Sequence, residues 1–375
     1  MNSIGLYVHI PWCIKKCPYC DFNSHAVKNE TPEKQYIKTL LNDLRVDLNL
    51  LSSPTSINSI FIGGGTPSLF SAAAIEKLLI GISELIPLNK NLEITLEANP
   101  GTFESEKFIQ YREIGINRLS IGIQSFNNHH LQKLGRIHSA EEALSAVKIA
   151  HKAGFDNLNL DLMFGLPEQS NQEMLNDVQT AINLNPSHIS FYQLTLEPNT
   201  YFHKFPPKLP INDQIFQGQI WCQQLLSDAG YAQYEISAYA KNNTVCQHNV
   251  NYWNFGDYLG IGAGAHGKIS NLQMNKIVRT TKPKSPEYYM KDSTPIISTI
   301  PADELPLEFV MNQLRLKTGF NLNHYMAATG LETSSLEPAL SDCVTEGFLT
   351  ADDSHYYCSE KGWNFLDNIL EKFIP

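Results

Sequence analysis

Strand-like and helix-like segments alternate six times between residues 4 and 194, and that alternation restricts the chain to few folds. Ile4–Ile10 reads as a strand. Ile37, Leu40, Leu41, Leu44, Leu48 and Leu51 then recur at helical spacing. Ile57–Ile62 is a second strand, stopped by Gly63-Gly64-Gly65-Thr66-Pro67, and Ile75, Leu78, Leu79, Ile82 and Leu85 mark a second helix. Strands at Leu92–Glu97, Asn117–Ile123, Leu158–Met163 and Ile189–Leu194 follow. Helices at 104–114, from a Ser139…Glu142 capping box to Gly154, and at 171–184 separate them. Units repeating at roughly 30 to 40 residues predict a parallel sheet with helical crossovers. Six units fall short of the eight of a complete barrel, and alternation alone does not separate a partial barrel from an open doubly wound sheet. Either way, function belongs on the loops after the strand C-termini.

The pattern changes after residue 200, where Pro206, Pro207 and Pro210 precede a helix at 212–229. Residues 1–235 therefore read as the α/β unit, 236–300 as a connecting region and 301–375 as a mainly helical C-terminal domain. In that domain helices are expected at 304–317, 322–328, 334–346 (from a Ser334…Glu337 capping box) and 360–373. A hairpin around Asp352-Asp353 gives it a winged-helix-like outline. The tail is not strongly basic and the chain carries a formal charge of −10, so no nucleic-acid partner is expected. No run of 18 apolar residues predicts an integral membrane segment, and residues 1–7 lack a secretory pattern. A cytoplasmic location is the expectation.

Seven cysteines are present, and three of them fall at Cys13, Cys17 and Cys20, just after the first strand. A disulfide framework would spread and pair its cysteines. Thiolates in C-x3-C-x2-C are soft ligands for zinc or an iron–sulfur cluster. Structural zinc takes four protein ligands, and here the fourth would come from His9, His25 or a distant cysteine. Three thiolates on a four-iron cluster instead leave one iron open to a ligand.

The spacing, with Tyr19 before the last cysteine, resembles the radical S-adenosylmethionine (SAM) superfamily. Tyr7-Val8-His9-Ile10-Pro11-Trp12-Cys13, the Gly63–Pro67 turn, Glu97 with Asn99-Pro100, Gln124-Ser125 and Arg136 resemble its coproporphyrinogen dehydrogenase (HemN-like) group. Two features resemble the heme-chaperone branch of that group, HemW. Phe22 stands where the dehydrogenases carry a further cysteine, and His248-Asn249-Val250-Asn251-Tyr252-Trp253 matches an H-N-x-x-Y-W motif. The long segment that precedes the cluster in the dehydrogenases is also missing, with only 12 residues before Cys13.

The resemblance implies a partial (β/α)6 barrel that carries a [4Fe–4S] cluster on Cys13, Cys17 and Cys20. The open iron would be chelated by the amino and carboxylate groups of SAM. It implies SAM contacts from Tyr7, Gly64, Gly65, Thr66, Glu97, Gln124, Arg136 and Asp161. Gly64 and Gly65 permit close backbone approach, by which the turn is expected to reach the methionyl group. Imidazole is a common heme ligand, so His248 is a candidate, with Tyr252 and Trp253 placed to stack on a flat macrocycle. His266 and Cys246 remain alternatives. Two functions follow. One is a chaperone that binds heme, the cluster and SAM and hands heme to an acceptor protein. The other is oxygen-independent coproporphyrinogen III dehydrogenase, a radical enzyme of porphyrin biosynthesis. Whether the chain is an enzyme is left open by its residues. A flavodoxin- or ferredoxin-type electron donor is the further partner that the resemblance implies.

Overall fold

A computed structural model describes residues 2–27, 30–101, 106–271, 274 and 276–375. Residues 104 and 105, the expected start of one helix, lie outside them; that helix runs Phe108–Glu113. The six expected strands all form: β1 (Asn2–Ile10), β2 (Thr55–Gly64), β3 (Leu88–Ala98), β4 (Arg118–Gln124), β5 (Asn157–Phe164) and β6 (His188–Gln193). They pair in sequence order and in parallel. Intervening helices α1 (Glu33–Leu48), α2 (Ala72–Leu85), α3 (Ala140–Lys152) and α4 (Asn171–Asn183) bury their apolar stripes on the sheet. Both bonds of the Ser139–Glu142 capping box are present at the start of α3.

The sheet extends beyond these six strands at both edges. β7 (Ala232–Glu235) and β8 (Ala238–Ala240) form a hairpin, and β8 runs antiparallel to β6. At the other edge β9 (Tyr258–Ile261) lies parallel to β1. β10 (His266–Asn271), β11 (Lys276–Thr281) and β12 (Ile296–Thr299) then continue antiparallel, giving twelve strands in all. Residues 236–300, read above as a connecting region, thus supply five strands of the main sheet. Their low apolar periodicity hid this, because β9 is only four residues and carries Gly260 against the His266 backbone. Helix α5 (Asn212–Asp228) packs against α4.

Buried charge fastens this added edge to α1. Lys282, fully buried after β11, places Nζ 2.5 Å from Asp43 Oδ1 and 2.6 Å from Asp47 Oδ1 on α1. Asp43 Oδ2 also accepts the Tyr289 hydroxyl at 2.6 Å and the Gly262 N–H at 3.2 Å. Desolvation raises both carboxyls, Asp47 to about 6, against the pull of Lys282.

A second core, built on Phe309, Val310, Leu314, Tyr325, Leu340 and Ile369 among others, holds the C-terminal unit. Its helices are Leu305–Gln313, Leu322–Thr329, Ala339–Thr345, Glu360–Asn364 and Leu366–Leu370. Strands Leu349–Asp352 and His355–Cys358 form the expected hairpin, joined by a third short strand, Phe320–Asn321. The Ser334…Glu337 capping box does not form. Pro338 occupies the position before the helix, so the helix starts at Ala339, and Glu337 instead accepts from Ser341. The expected helix over 360–373 breaks at Phe365, which leaves helical backbone at φ −128° and ψ 47°.

Replacing Lys282 with Met strands two buried carboxylates. The expected loss is about 3–5 kcal/mol of stability, read as a fall in the urea midpoint at pH 7.

Candidate active site

The C-terminal ends of β2 to β6 and the loop after β1 enclose a cavity of about 330 Å³. Cys13, Cys17, Cys20, Gly64, Gly65, Thr66, Glu97, Gln124, Arg136 and Asp161 all line it, so ten of the twelve residues singled out above converge. Tyr7 and His248 do not line it.

The cysteine loop is built by backbone contacts. Gly65 N–H donates to Ile10 O at 2.8 Å and Thr66 N–H to Trp12 O at 2.7 Å. A Cβ on Gly65 would stand 2.5 Å from that Trp12 oxygen, and one on Gly64 (φ +114°) would strike the His9 ring at 2.5 Å. The close approach that these glycines allow is to the His9 ring and to the start of the cysteine loop, while both still line the cavity. Gly64 N–H donates to Glu97 Oε2 at 3.0 Å, which fixes that carboxylate at the cavity wall.

Tyr7 supports the same loop from beneath. Its hydroxyl lies 2.9 Å from His9 Nδ1, and His9 Nε2 lies 2.8 Å from Asn23 O. The carbonyl can only accept, so His9 donates from Nε2 and accepts from Tyr7 at Nδ1. Burial pushes His9 down to about 4, so it stays neutral. Both its nitrogens are taken, which removes it as a fourth metal ligand. The expected direct contact of Tyr7 with the cavity is replaced by this chain.

The three thiols have different surroundings. Cys13 is buried and its thiol is raised by desolvation, while Cys17 and Cys20 are half-buried. Arg136 sets Nη1 3.8 Å from Cys17 Sγ and donates from Nη2 to Asn99 Oδ1 and Gly122 O, both at 2.7 Å. Among the described residues, no three His, Cys, Asp or Glu side chains form a group able to hold a metal ion. A four-iron cluster does not ask for convergence on one ion, because each thiolate takes a separate iron. The all-thiol donor set, beside a cavity with a cation at its wall, fits that group and not a closed zinc site.

The far wall is acidic and hydroxylic. Asp161 accepts from Asn159 Nδ2 at 2.8 Å and Ser120 Oγ at 3.0 Å. Desolvation, then repulsion from Asp161, raises Glu97 to about 7; Asp161 is raised too, by desolvation. The buried Arg118 guanidinium lowers both carboxyls but does not cancel the rise from burial, and such a pair suits a positively charged ligand. Gln124 adopts φ +69° at the end of β4 and accepts the Tyr192 hydroxyl at 2.8 Å, a strained backbone held at the cavity edge. Ser190, Tyr192, Glu235 and Ser237 also line the cavity. The first two follow the alternation of β6 and were legible from it; the others lie in the β7–β8 hairpin, which the pattern did not reveal.

The His248 motif divides by helical face. Helix α6 (Gln247–Trp253) sends His248 and Tyr252 inward and sets Asn249 and Trp253, also four apart, on the cavity wall. His248 is buried, with Nδ1 2.9 Å from Ser59 Oγ and Nε2 2.7 Å from the Tyr252 hydroxyl. Its ring stacks on Phe61 at 5.2 Å. Burial lowers it to about 3. With both nitrogens hydrogen-bonded, this imidazole anchors the helix and does not line the cavity. Tyr252, expected to stack on a macrocycle, packs edge-on to His248 and Tyr258 instead. Cys246 is buried 3.7 Å from Glu93 Oε1, and exposed His266 lies 3.2 Å from Thr281 Oγ1; neither lines the cavity. Tyr252→Phe leaves His248 Nε2 without a partner and is expected to cost about 1–3 kcal/mol in urea unfolding.

Residues 7–181 match the radical SAM superfamily and residues 300–365 the HemN C-terminal domain. The chain is 47% identical over 375 residues to heme chaperone HemW of Escherichia coli (strain K12), spanning 100% of this chain and 99% of that protein. It is 48% identical over 378 residues to heme chaperone HemW of Haemophilus influenzae, spanning 100% and 98%. Coproporphyrinogen III oxidase (HemN) from Escherichia coli, a radical SAM enzyme, shares the fold with a TM-score of 0.83, over 99% of this chain and 90% of that one. Its sequence is 22% identical, so that likeness concerns architecture alone. The superfamily implies a [4Fe–4S] cluster and SAM, in agreement with the three thiols and the acidic wall. With likeness above 45% along its whole length, the chain belongs to the HemW family of radical SAM proteins.

Proposed function

We propose that the protein is a heme chaperone: it binds heme, a [4Fe–4S] cluster and SAM, and passes heme to an acceptor protein. The observation that carries this reading is the full-length similarity to proteins named heme chaperone HemW. The site supports it at one further position. Phe22 lines the cavity mouth and is 60% exposed, so an inert ring stands where the dehydrogenases have a further cysteine.

The residues divide their work as follows. Cys13, Cys17 and Cys20 would hold the cluster, which supplies one-electron reduction of SAM when bound. Arg136, held by Asn99 and Gly122, stands against the Cys17 sulfur. Glu97, held by Gly64 N–H, and Asp161 face the cationic ligand with paired negative charge, and Gln124 closes the wall through Tyr192. Thr66 turns the chain and accepts from Asn99 Nδ2 at 2.9 Å. A flavodoxin- or ferredoxin-type donor would supply the electron. No helix among the described residues is long and apolar enough to cross a membrane; a cytoplasmic location belongs to the same proposal.

Anaerobic reconstitution tests the reading. The protein is expected to take up about four irons, bind hemin and leave coproporphyrinogen III unconverted with SAM and a reductant present. Turnover of that substrate would overturn the chaperone reading. Cys17→Ala should abolish the brown chromophore.

Glu97 gives SAM binding a pH signature. Its carboxyl, raised to about 7, holds a proton below that pH, and a cationic ligand must expel it. SAM affinity is therefore expected to climb as pH rises from about 6 to 8, and Glu97→Gln to flatten the profile in calorimetric titrations. The same shift works against folding: between the ordinary glutamate value near 4.5 and about 7, the folded state keeps a proton that the unfolded state loses, so stability declines as pH rises.

A further inference from the structure

The surface around the cysteine loop differs in charge from the rest of the chain. Three segments meet there: residues 13–23, 127–138 and 199–210. Arg136 of the second reaches the Cys17 sulfur. The third is joined to the loop by Phe202, whose N–H donates to Pro18 O at 3.0 Å and whose ring lies 6.4 Å from that of Tyr19. Together the three hold six lysines and arginines and one acid, Asp21, in a chain whose formal charge is −10. Glu168, from the loop after β5, adds a second acid, and it is spent on Lys133.

Four of these cations are open to a partner. Lys15, Lys16, Lys204 and Lys208 are exposed, and none forms an ion pair among the described residues. Lys16 Nζ donates only to Phe22 O, at 3.1 Å, and Lys204 Nζ stands 5.3 Å from the Phe205 ring centre. Large apolar groups lie uncovered among them. Ile14 and Phe22 are exposed in the cysteine loop, and Tyr201 and Phe205 are exposed beside it with their rings 4.9 Å apart. Apolar groups rimmed by charge of one sign are the anatomy of a protein interface, and that sign selects a partner of the opposite one.

We propose that this face is the docking surface for an acidic one-electron carrier protein. The inference rests on the reading above, in which an external donor reduces the cluster, and deepens it by placing that donor. Cys17 and Cys20 are only half-buried, so a carrier seated here lies against the thiol loop without entering the cavity. The carrier loses one electron and the cluster gains it; no bond forms or breaks and no atom is transferred. The lysines steer an acidic protein to this face of a chain that repels it elsewhere. Glu97 and Asp161 stay with the cationic ligand inside, so carrier and SAM do not compete for the same groups.

Calorimetric titration of the cluster-loaded full chain with oxidised flavodoxin, and separately with a plant-type [2Fe–2S] ferredoxin, tests the placement. Affinity for at least one of these acidic carriers is expected to fall at least tenfold as salt rises from about 50 to 300 mM. Lys204→Glu with Lys208→Glu should weaken that carrier at least tenfold, with iron content and SAM affinity unchanged, while Lys204→Arg with Lys208→Arg keeps the wild-type affinity. Lys15→Glu with Lys16→Glu should weaken it as far and decides the matter if the first variant misfolds. Unchanged affinity in folded charge-reversed variants overturns the placement. So does binding to phosphatidylglycerol vesicles that these variants abolish while carrier binding persists. A cluster-loaded wild type that binds neither carrier overturns the donor assignment as well, and hemin uptake by the same protein then decides the chaperone reading separately.

Discussion

The packing of the Gly64–Gly65 turn against the Trp12 carbonyl is the contact on which the site depends. Two backbone bonds, from Gly65 and Thr66, pin the start of the cysteine loop to the end of β2, and no side chain larger than hydrogen fits at the junction. The same turn presents the Gly64 N–H that fixes Glu97. One constraint thus places the thiols and the facing carboxylate relative to each other. Tyr7 and His9 carry that placement down to Asn23, and Asn23 donates from Nδ2 to Ala263 O at 2.8 Å. The loop is held from both edges of the barrel strands that flank it.

Polar burial does much of the remaining work. The barrel interior below the cavity holds Arg118, Glu93, His188 and His248, each almost wholly enclosed. Glu93 accepts the N–H groups of Gln247 and His248 at the start of α6, where a carboxylate favours a helix N-terminus. His248 and Tyr252 complete the anchor from the inner face. The motif is therefore a mount that fixes Asn249 and Trp253 on the cavity wall. Arg315 then stacks on Trp253 and bonds Glu235, tying the C-terminal unit to the same wall. That wall is made by contacts between residues more than 60 positions apart.

The order of the six parallel strands was legible because each is long and apolar and each is followed by a helix with a clear stripe. Ten site residues were legible because they stand at or just beyond strand ends, where this architecture gathers function. The strands of 236–300 were not. They are short and Gly-rich, and they owe their form to pairing with β1 and with each other. The broken last helix was missed for a related reason: local periodicity continued through Phe365, and tertiary packing of the C-terminal core overrode it. Sequence alone suggested that His248 and Tyr252 face a ligand, since an exposed and a buried imidazole look the same in a motif.

The amino-acid sequence determined the parallel α/β core, the three-thiol ligand set and the family, since these rest on periodicity and on residue types at short spacing. Only the tertiary structure decided which side of the His248 helix meets the cavity and why the glycines are needed. Each of those depends on distances between segments far apart in the chain. Such distances are set by the net balance of burial, hydrogen bonding and sterics over the whole fold, and no local pattern encodes them.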